Sequence, residues 1–372
     1  NIAGSVIILD EVQTLPASLL EPTLDVLQQL TDFYGCSVVL CTATQPALRQ
    51  EYFGRGLHDV REIIPQPRAY FDELKRVTYE LRLDEPATWQ EVAEQVVNTT
   101  QCLVVLNTKK DAVQLLTAMD DPHALHLSTL LCAAHRRTVL KEVRRRLAVG
   151  APCHLVSTQV VEAGVDLDFP VVFRAMGPLD RIVQSAGRCN REGHLDKGRM
   201  AVFLPAEGGL PKGEYRTATD TAYGLLSRSR DVDLDDPAIF EEYFRRVYQS
   251  VNTDAKRIQE VRRSFDFPTV AERYRLISDD TVPMVVHYPS EGEGAIETAR
   301  LLELARERKN VPRWLVRRLQ PYMVNVYAHQ LSEICRDGLA TEVVPGLWEW
   351  LGGYDALLGL TMSNRDPAQL VF

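Results

Sequence analysis

The chain has 372 residues, enough for two or three domains. Its 45% hydrophobic and 25% charged residues are those of a globular protein and exclude a low-complexity chain. A net charge of −9 excludes a generally basic nucleic-acid coat, though not a local basic groove. Seven cysteines, an odd number with no Cys-x-x-Cys pair, read as reduced thiols of a cytoplasmic protein without structural zinc. No apolar run approaches the roughly 18–20 residues of a membrane span, and there is no signal peptide.

In chain order, Val6-Ile7-Ile8-Leu9 reads as a strand buried on both faces, as in a parallel sheet. It starts so close to Asn1 that a longer polypeptide is expected. Apolar residues at Leu19, Leu20, Leu24, Leu27 and Leu30 follow a helical period, and Ser37 to Cys41 is a second buried strand. Two strands cannot close a domain, so residues 1–75 are expected to be part of a first α/β domain that needs further material. Residues 76–210 alternate strands and helices and predict a second α/β domain with a mainly parallel sheet. Gly208, Gly209, Pro211 and Gly213 then punctuate the chain. Residues 211–280 read as a helical linker or accessory region, and 281–372 as a small mixed C-terminal domain.

Four stretches carry chemistry. Asp10 and Glu11 fall at the carboxyl end of the first strand, where open α/β sheets bind ligands. Paired carboxylates there suit nucleotide hydrolysis, one holding Mg²⁺ and the other serving the attacking water; the alternative is a surface turn. Thr42 and Thr44 end the next strand, either as hydrogen-bonding partners of a phosphate-side acid or as turn caps. In Ser157-Thr158-Gln159-Val160-Val161-Glu162-Ala163-Gly164-Val165-Asp166, Thr158 is placed to donate to a nucleic-acid phosphate and Gly164 to allow close backbone approach. Asp166 there can meet a ribose or a cation. The alternative is a plain strand–turn pair. In Gln184-Ser185-Ala186-Gly187-Arg188-Cys189-Asn190-Arg191, the two arginines are three apart, which predicts one helical face. They can bracket a γ-phosphate, or simply cap a helix end.

The order and spacing of these stretches, with Asn107-Thr108 between them, resemble superfamily 2 helicases from their second motif to their sixth. Asp-Glu-Val-Gln, Thr-Ala-Thr-Gln-Pro, Val-Leu-Asn-Thr, His126-Leu127-Ser128-Thr129 and Gln-Ser-Ala-Gly-Arg-Cys-Asn-Arg-Glu-Gly look like the CRISPR-associated helicase–nuclease of type I interference. The likeness covers residues 1 to about 205 strongly and Pro312–Leu360 weakly. It implies two RecA-like domains, the first incomplete, that sandwich ATP and Mg²⁺ and move along single-stranded DNA. By the resemblance, Asp10 would bind Mg²⁺, Glu11 would be the catalytic base, and Arg188 and Arg191 the arginine fingers. Gln13, Gly164, Asp166 and Gln184 would border the nucleotide, and Thr42 and Thr44 would couple hydrolysis to movement. Asn107, Thr108, Ser128, Thr129 and Thr158 would touch the DNA backbone. A guide-RNA surveillance complex is the implied recruiter.

The family often has arginine after the motif's glutamine, where this chain has Ser185, so no phosphate contact is assigned there. No Gly-x-x-x-x-Gly-Lys-Ser/Thr occurs in the sequence, so the phosphate loop, like the nuclease domain and its metals, is expected from an upstream half. The chain alone is therefore expected to be at best a very weak ATPase. Two readings of another kind stay open: a non-catalytic strand-binding or docking module, and a DEAD-box-like RNA helicase. His123, His126, His135 and His154 are not read as a metal site. Arg136, Arg137, Lys141 and Arg144–Arg146 read as a solvated helix face. Arg313, Arg317 and Arg318, near Trp314, are the better basic candidate for closing over DNA.

Overall fold

The computed structural model describes residues 2–65, 67–162, 164–228, 232–277, 280–288, 294–308 and 311–361. Ala163 of the third motif and the end of the expected C-terminal domain, 362–372, lie outside them.

Strands β1 (Val6–Leu9) and β2 (Ser37–Leu40) pair in parallel, from Val6 against Ser37 to Leu9 against Leu40. Helix α1 (Leu20–Tyr34) makes the crossover. It buries Leu20, Leu24 and Leu27 and ends where Gly35 turns left-handed at φ 63°. The expected burial on both faces does not hold for β1. Leu9 packs inward, but Val6 and Ile8, on the opposite face by the twofold alternation of a strand, are each 65% exposed. Among the described residues no element covers that face.

Helix α2 (Pro67–Glu73) leads into the second α/β unit. Its elements are β3 (Val77–Ala87), α3 (Trp89–Val97), β4 (Gln101–Val105), α4 (Lys109–Met119), β5 (Ala124–Leu127), α5 (Ala133–Ala148), β6 (Cys153–Ser157), β7 (Val171–Ala175), α6 (Leu179–Ala186) and β8 (Gly198–Pro205). The strands form one parallel sheet in the order β3-β8-β7-β4-β6-β5. Their continuous apolar runs follow from helices on both faces. Cys102 and Val104 of β4 face Trp89, Val96 and Leu115 of α3 and α4. Leu103 and Val105 face the opposite core, with Val139, Val143 and Ile182 of α5 and α6. Caps fix the helix starts: Thr88 and Glu91 form a reciprocal capping box for α3, and Thr108 accepts the Asp111 amide at α4. This is the RecA-like α/β architecture expected from the sequence.

Region 211–280 is more than a connector. Helices α7 (Glu214–Leu226) and α8 (Pro237–Ser250) bury Ala222, Leu226, Phe240, Tyr243 and Phe244 in the core shared by both α/β units. The Glu214 carboxylate accepts the amides of Ala17 (3.1 Å) and Ser18 (2.9 Å), ahead of α1. After α8 come α9 (Ile258–Arg263) and α10 (Phe267–Arg273). Arg262 reaches Asp25 at 2.5 Å, and the hydroxyls of Tyr274 and Thr23 meet at 2.8 Å. These contacts fix the two units against each other.

The C-terminal module comprises β9 (Thr281–Val285), α11 (Gly294–Arg306), α12 (Arg313–Leu319), β10 (Met323–Tyr327), α13 (Leu331–Arg336), β11 (Ala340–Val344), β12 (Leu347–Trp350), β13 (Gly353–Asp355) and β14 (Gly359–Thr361). A four-stranded mixed sheet, β10-β9-β12-β11, packs α11 and α12 on one face. Its other face, through Met284, Val286 and Trp350, meets Cys132 and Ala134 at the start of α5. The β13–β14 hairpin docks on the same place, with the Leu360 amide on the Leu130 carbonyl at 3.0 Å. Among the described residues no helix is long and apolar enough to cross a membrane.

Candidate active site

The carboxyl ends of β1 and β2 carry the acids and the threonines. Asp10 and Glu11 are both exposed, and the Glu11 amide donates to Asp10 Oδ1 at 3.0 Å. Glu11 sits in the left-handed region at φ 53°, which costs an ordinary side chain about 1–3 kcal/mol. That backbone turns the chain off the strand, so the two adjacent carboxylates need not point to opposite faces. The buried Gln13 carboxamide holds the turn, donating to Glu11 Oε2 and accepting from Thr42 Oγ1. Thr42 Oγ1 also accepts the Thr44 amide at 3.0 Å. Thr44 is fully buried, and its hydroxyl has no hydrogen-bond partner.

The second unit brings its motifs to the same cleft. Gln184, buried on α6, places Nε2 3.4 Å from Glu11 Oε2 across the gap between the two units. Arg188 is mostly buried; its Nε donates to the Val161 carbonyl (3.0 Å) and its Nη2 to the Glu162 carbonyl (2.6 Å). Burial, then the nearby Arg191, push its pKa below the ordinary arginine value, against the pull of Asp166, Glu11 and Glu162. A cation disfavoured in this way gains from an added anion. Arg191 is half exposed and pairs with Asp166 at 2.7 Å. Gly164 adopts φ 70° with open space on its Cβ side, so nothing blocks approach to that turn.

One expectation needs correction. Arg188 and Arg191 do not share a helical face. Helix α6 ends at Ala186, and Asn190 takes a left-handed conformation at φ 47°. The loop is pinned instead to residues 168–169: the Arg191 amide donates to Asp168 Oδ1 at 2.7 Å, and the Asn190 amide to the Phe169 carbonyl at 2.9 Å. Tertiary clamping, not helical period, brings both arginines to the cleft.

The residues expected at a nucleic-acid strand are spread over the carboxyl ends of β4, β5 and β6. Thr129 is exposed and Thr108 half-buried. Ser128 and Thr158 are buried, and Ser128 Oγ accepts the Leu130 amide at 3.1 Å. Asn107 lies beneath the surface, with its carboxamide engaged at both ends: Oδ1 accepts from Arg174 and Tyr215 (both 2.8 Å), and Nδ2 donates to the Met176 carbonyl at 2.8 Å. In this conformation Asn107 positions its loop. The arginines of α5 are mostly exposed, and Glu142 pairs with Arg145 and Arg146. His154 is held by Asp121 and the Thr99 carbonyl. On α12, Arg313, Trp314 and Arg317 are exposed, Arg318 pairs with Glu297, and Arg308 stacks over Trp314 at 5.8 Å.

The sequence reading missed Arg174, Glu162, Arg181 and Tyr215. The signal was present for Arg174: an arginine inside Val171-Val172-Phe173-Arg174-Ala175, in a strand buried on both faces, demands a buried partner.

Residues 98–194 match the family model described as CRISPR-associated nuclease/helicase Cas3, C-terminal. The CRISPR-associated nuclease/helicase Cas3 of Haloferax volcanii is 27% identical, over 54% of this chain and 32% of that protein. Among solved structures, T. fusca Cas3-ATP superposes with a TM-score of 0.64 at 15% identity, over 97% of this chain and 54% of that one. A CRISPR RNA-guided surveillance complex, pre-nicking, contains a chain with a TM-score of 0.55 at 15% identity, over 97% and 57%. At such identities these two establish the fold alone. The chain spans about a third of the length of the curated relatives it matches. Family match and relatives together make this chain similar to a C-terminal portion of the CRISPR-associated nuclease/helicase Cas3 proteins.

Proposed function

We propose that this chain is the C-terminal part of a cytoplasmic ATP-dependent helicase that translocates on single-stranded DNA during type I CRISPR interference. The observation that carries this reading is the approach of Gln184, on the second unit, to Glu11 on the first. An acid pair and two arginines on opposite walls of one cleft fit a nucleotide held between the units. The donor set also fits Mg²⁺: Asp10 is an exposed carboxylate beside a second one, which suits a hard cation bound largely through water. That ion would neutralise phosphate charge.

In this reading Glu11 accepts a proton from water as the water oxygen attacks the γ-phosphorus, and the bond to the β–γ bridging oxygen breaks to release ADP. Arg188 and Arg191 offset the charge gathering on the γ-phosphoryl oxygens. Gln13, Gly164, Asp166 and Gln184 border the nucleotide, and Thr42 and Thr44 couple its state to movement. Thr108, Ser128, Thr129 and Thr158 face the strand, with Asn107 holding their loops. The phosphate-cradling loop and the metal-dependent nuclease would belong to an upstream half. The surveillance complex would be the recruiter.

The test is ATP turnover by the complete protein, with and without single-stranded DNA. Strand-stimulated hydrolysis is expected, and Glu11→Gln lowers kcat by about 10²–10⁴. The 372-residue chain alone hydrolyses ATP very weakly. Robust turnover by the isolated chain, abolished by Glu11→Gln, would contradict the assignment of the phosphate loop to another segment.

A further inference from the structure

Beneath the cleft, the second unit hides a line of charges that the hydrolytic step does not use. Arg174 on β7 is fully buried. Its Nη1 donates to Asn107 Oδ1 at 2.8 Å and to the Ala175 carbonyl at 3.0 Å. Its Nη2 donates to the Tyr215 hydroxyl at 3.1 Å and lies 3.1 Å from Glu162 Oε1. Tyr215 closes the ring by donating to Asn107 Oδ1 at 2.8 Å. The Asn107 side of the line is therefore tightly tied.

The other side is not. Glu162 Oε1 accepts the Ser185 hydroxyl at 3.3 Å, but the buried Oε2 has no hydrogen bond among the described residues. Arg181 Nη1 lies 3.7 Å from it. Of the charges Arg181, Glu162 and Arg174, Arg181 is the partly exposed one, 29% accessible against 0% for the other two. It spends Nη1 on Gln184 Oε1 at 3.1 Å, and Gln184 is the residue that reaches Glu11. The longest step from Glu11 to Asn107 is the one at Arg181, whose Nε is anchored by the buried Asp180 carboxylate at 3.4 Å while its Nη1 lies between Gln184 and Glu162 Oε2.

Arg181 here holds Gln184; a short movement of its Nη1 would bring it to hydrogen-bond distance of Glu162 Oε2 and take it off Gln184. Buried charges in a low-dielectric interior make each arrangement felt by its neighbours. A shift of Arg181 onto Glu162 Oε2 adds a second close cation to the carboxylate whose Oε1 lies 3.1 Å from Arg174, and so weakens its hold on the guanidinium that positions Asn107. We propose that Glu162, between Arg181 and Arg174, is the positioning residue that couples the nucleotide side, at Gln184, to the strand side, at Asn107. The proposal rests on the helicase reading above. Glu162 and Arg174, both fully buried, are out of reach of nucleotide and strand in this conformation.

The test uses the complete protein and measures kcat and KM for ATP with and without single-stranded DNA. Arg181→Gln, at a partly exposed position, keeps the fold; Glu162→Gln keeps the shape and the Ser185 bond while removing the charge. Each is expected to lower the stimulation of kcat by the strand at least fivefold, with KM for ATP within twofold. Arg181→Lys, which keeps the charge, recovers part of the stimulation. Stimulation equal to wild type in folded Arg181→Gln overturns the coupling role, even if melting shows a lower stability. A wild-type protein that hydrolyses ATP without any response to the strand refutes the helicase reading itself, and this inference with it.

Discussion

Arg191 Nε lies 2.7 Å from Asp166 Oδ1, and both side chains are open to solvent. An exposed pair of this kind is worth about 0–1 kcal/mol to the fold. Its role is orientation. Asp166 holds the Arg191 guanidinium, whereas carbonyls hold that of Arg188, and Asp168 fixes the Arg191 amide. Arg191→Ala in the complete protein is expected to lower kcat for ATP by about 10³ or more, the scale of an arginine finger, with melting shifted by no more than about 1–2 °C. Asp166→Ala is expected to lower kcat less, about tenfold, also without loss of stability. Unchanged turnover in Arg191→Ala removes it from the site.

The two threonines after β2 separate just as cleanly. Thr42 Oγ1 serves Gln13 and the Thr44 amide, so Thr42→Val breaks the brace of the Glu11 turn and costs about 1–3 kcal/mol in chemical denaturation. Thr44 Oγ1 is buried without a partner. Thr44→Val therefore leaves stability unchanged or slightly higher. If Thr44 couples hydrolysis to movement, the variant keeps ATP turnover and loses strand displacement; equal loss of both contradicts coupling.

Gly359 fastens the C-terminal hairpin to the second α/β unit. It adopts φ 85°, and a Cβ there would lie 2.8 Å from the Leu130 carbonyl carbon and closer still to its oxygen. The obstacle is backbone and cannot swing aside. Gly359→Ala is expected to cost about 2–4 kcal/mol and to raise hydrogen exchange at the Leu360 amide, which bonds Leu130. Wild-type exchange at Leu360 would show that the hairpin is held elsewhere.

His126 makes the same interface sensitive to acid. Its Nδ1 donates to the Leu357 carbonyl at 3.2 Å, and its buried Nε2 has no partner among the described residues. Burial pushes its pKa from 6.5 to about 4, and His135 adds to the effect while Leu357 and Asp355 oppose it. The imidazole is neutral in the fold but protonates near 6.5 when unfolded. Its contribution is complete above that value and falls as pH drops from 6.5 toward 4, by about 2 kcal/mol at pH 5. Burial also lowers the pKa of His135, so its contribution has the same sign. Melting at pH 7.5 and pH 5.0 should show the loss, and His126→Gln should reduce the difference between the two. An identical difference in the variant rules out His126 as its source.

The sequence by itself determined the element order of the second α/β unit, because apolar runs, caps and turn residues are local. β4, β6 and β7 read as buried strands since both faces of a parallel sheet are covered, and Thr108 and Thr88 mark helix starts through bonds within three residues. It also singled out Asp10, Glu11, Arg188 and Arg191 as candidates, from residue type and spacing. The tertiary structure alone decided how they meet. The arginines reach the cleft on a loop clamped to Asp168 and Phe169, a contact between segments about twenty residues apart that no helical period encodes. Region 211–280 read as a linker because its charges hide the face formed by Phe240, Tyr243 and Phe244, which closes a core shared by both units. Glu162, Arg174 and Arg181 are ordinary charged residues in sequence. Only the fold removes them from water and leaves each with a small, fixed set of partners.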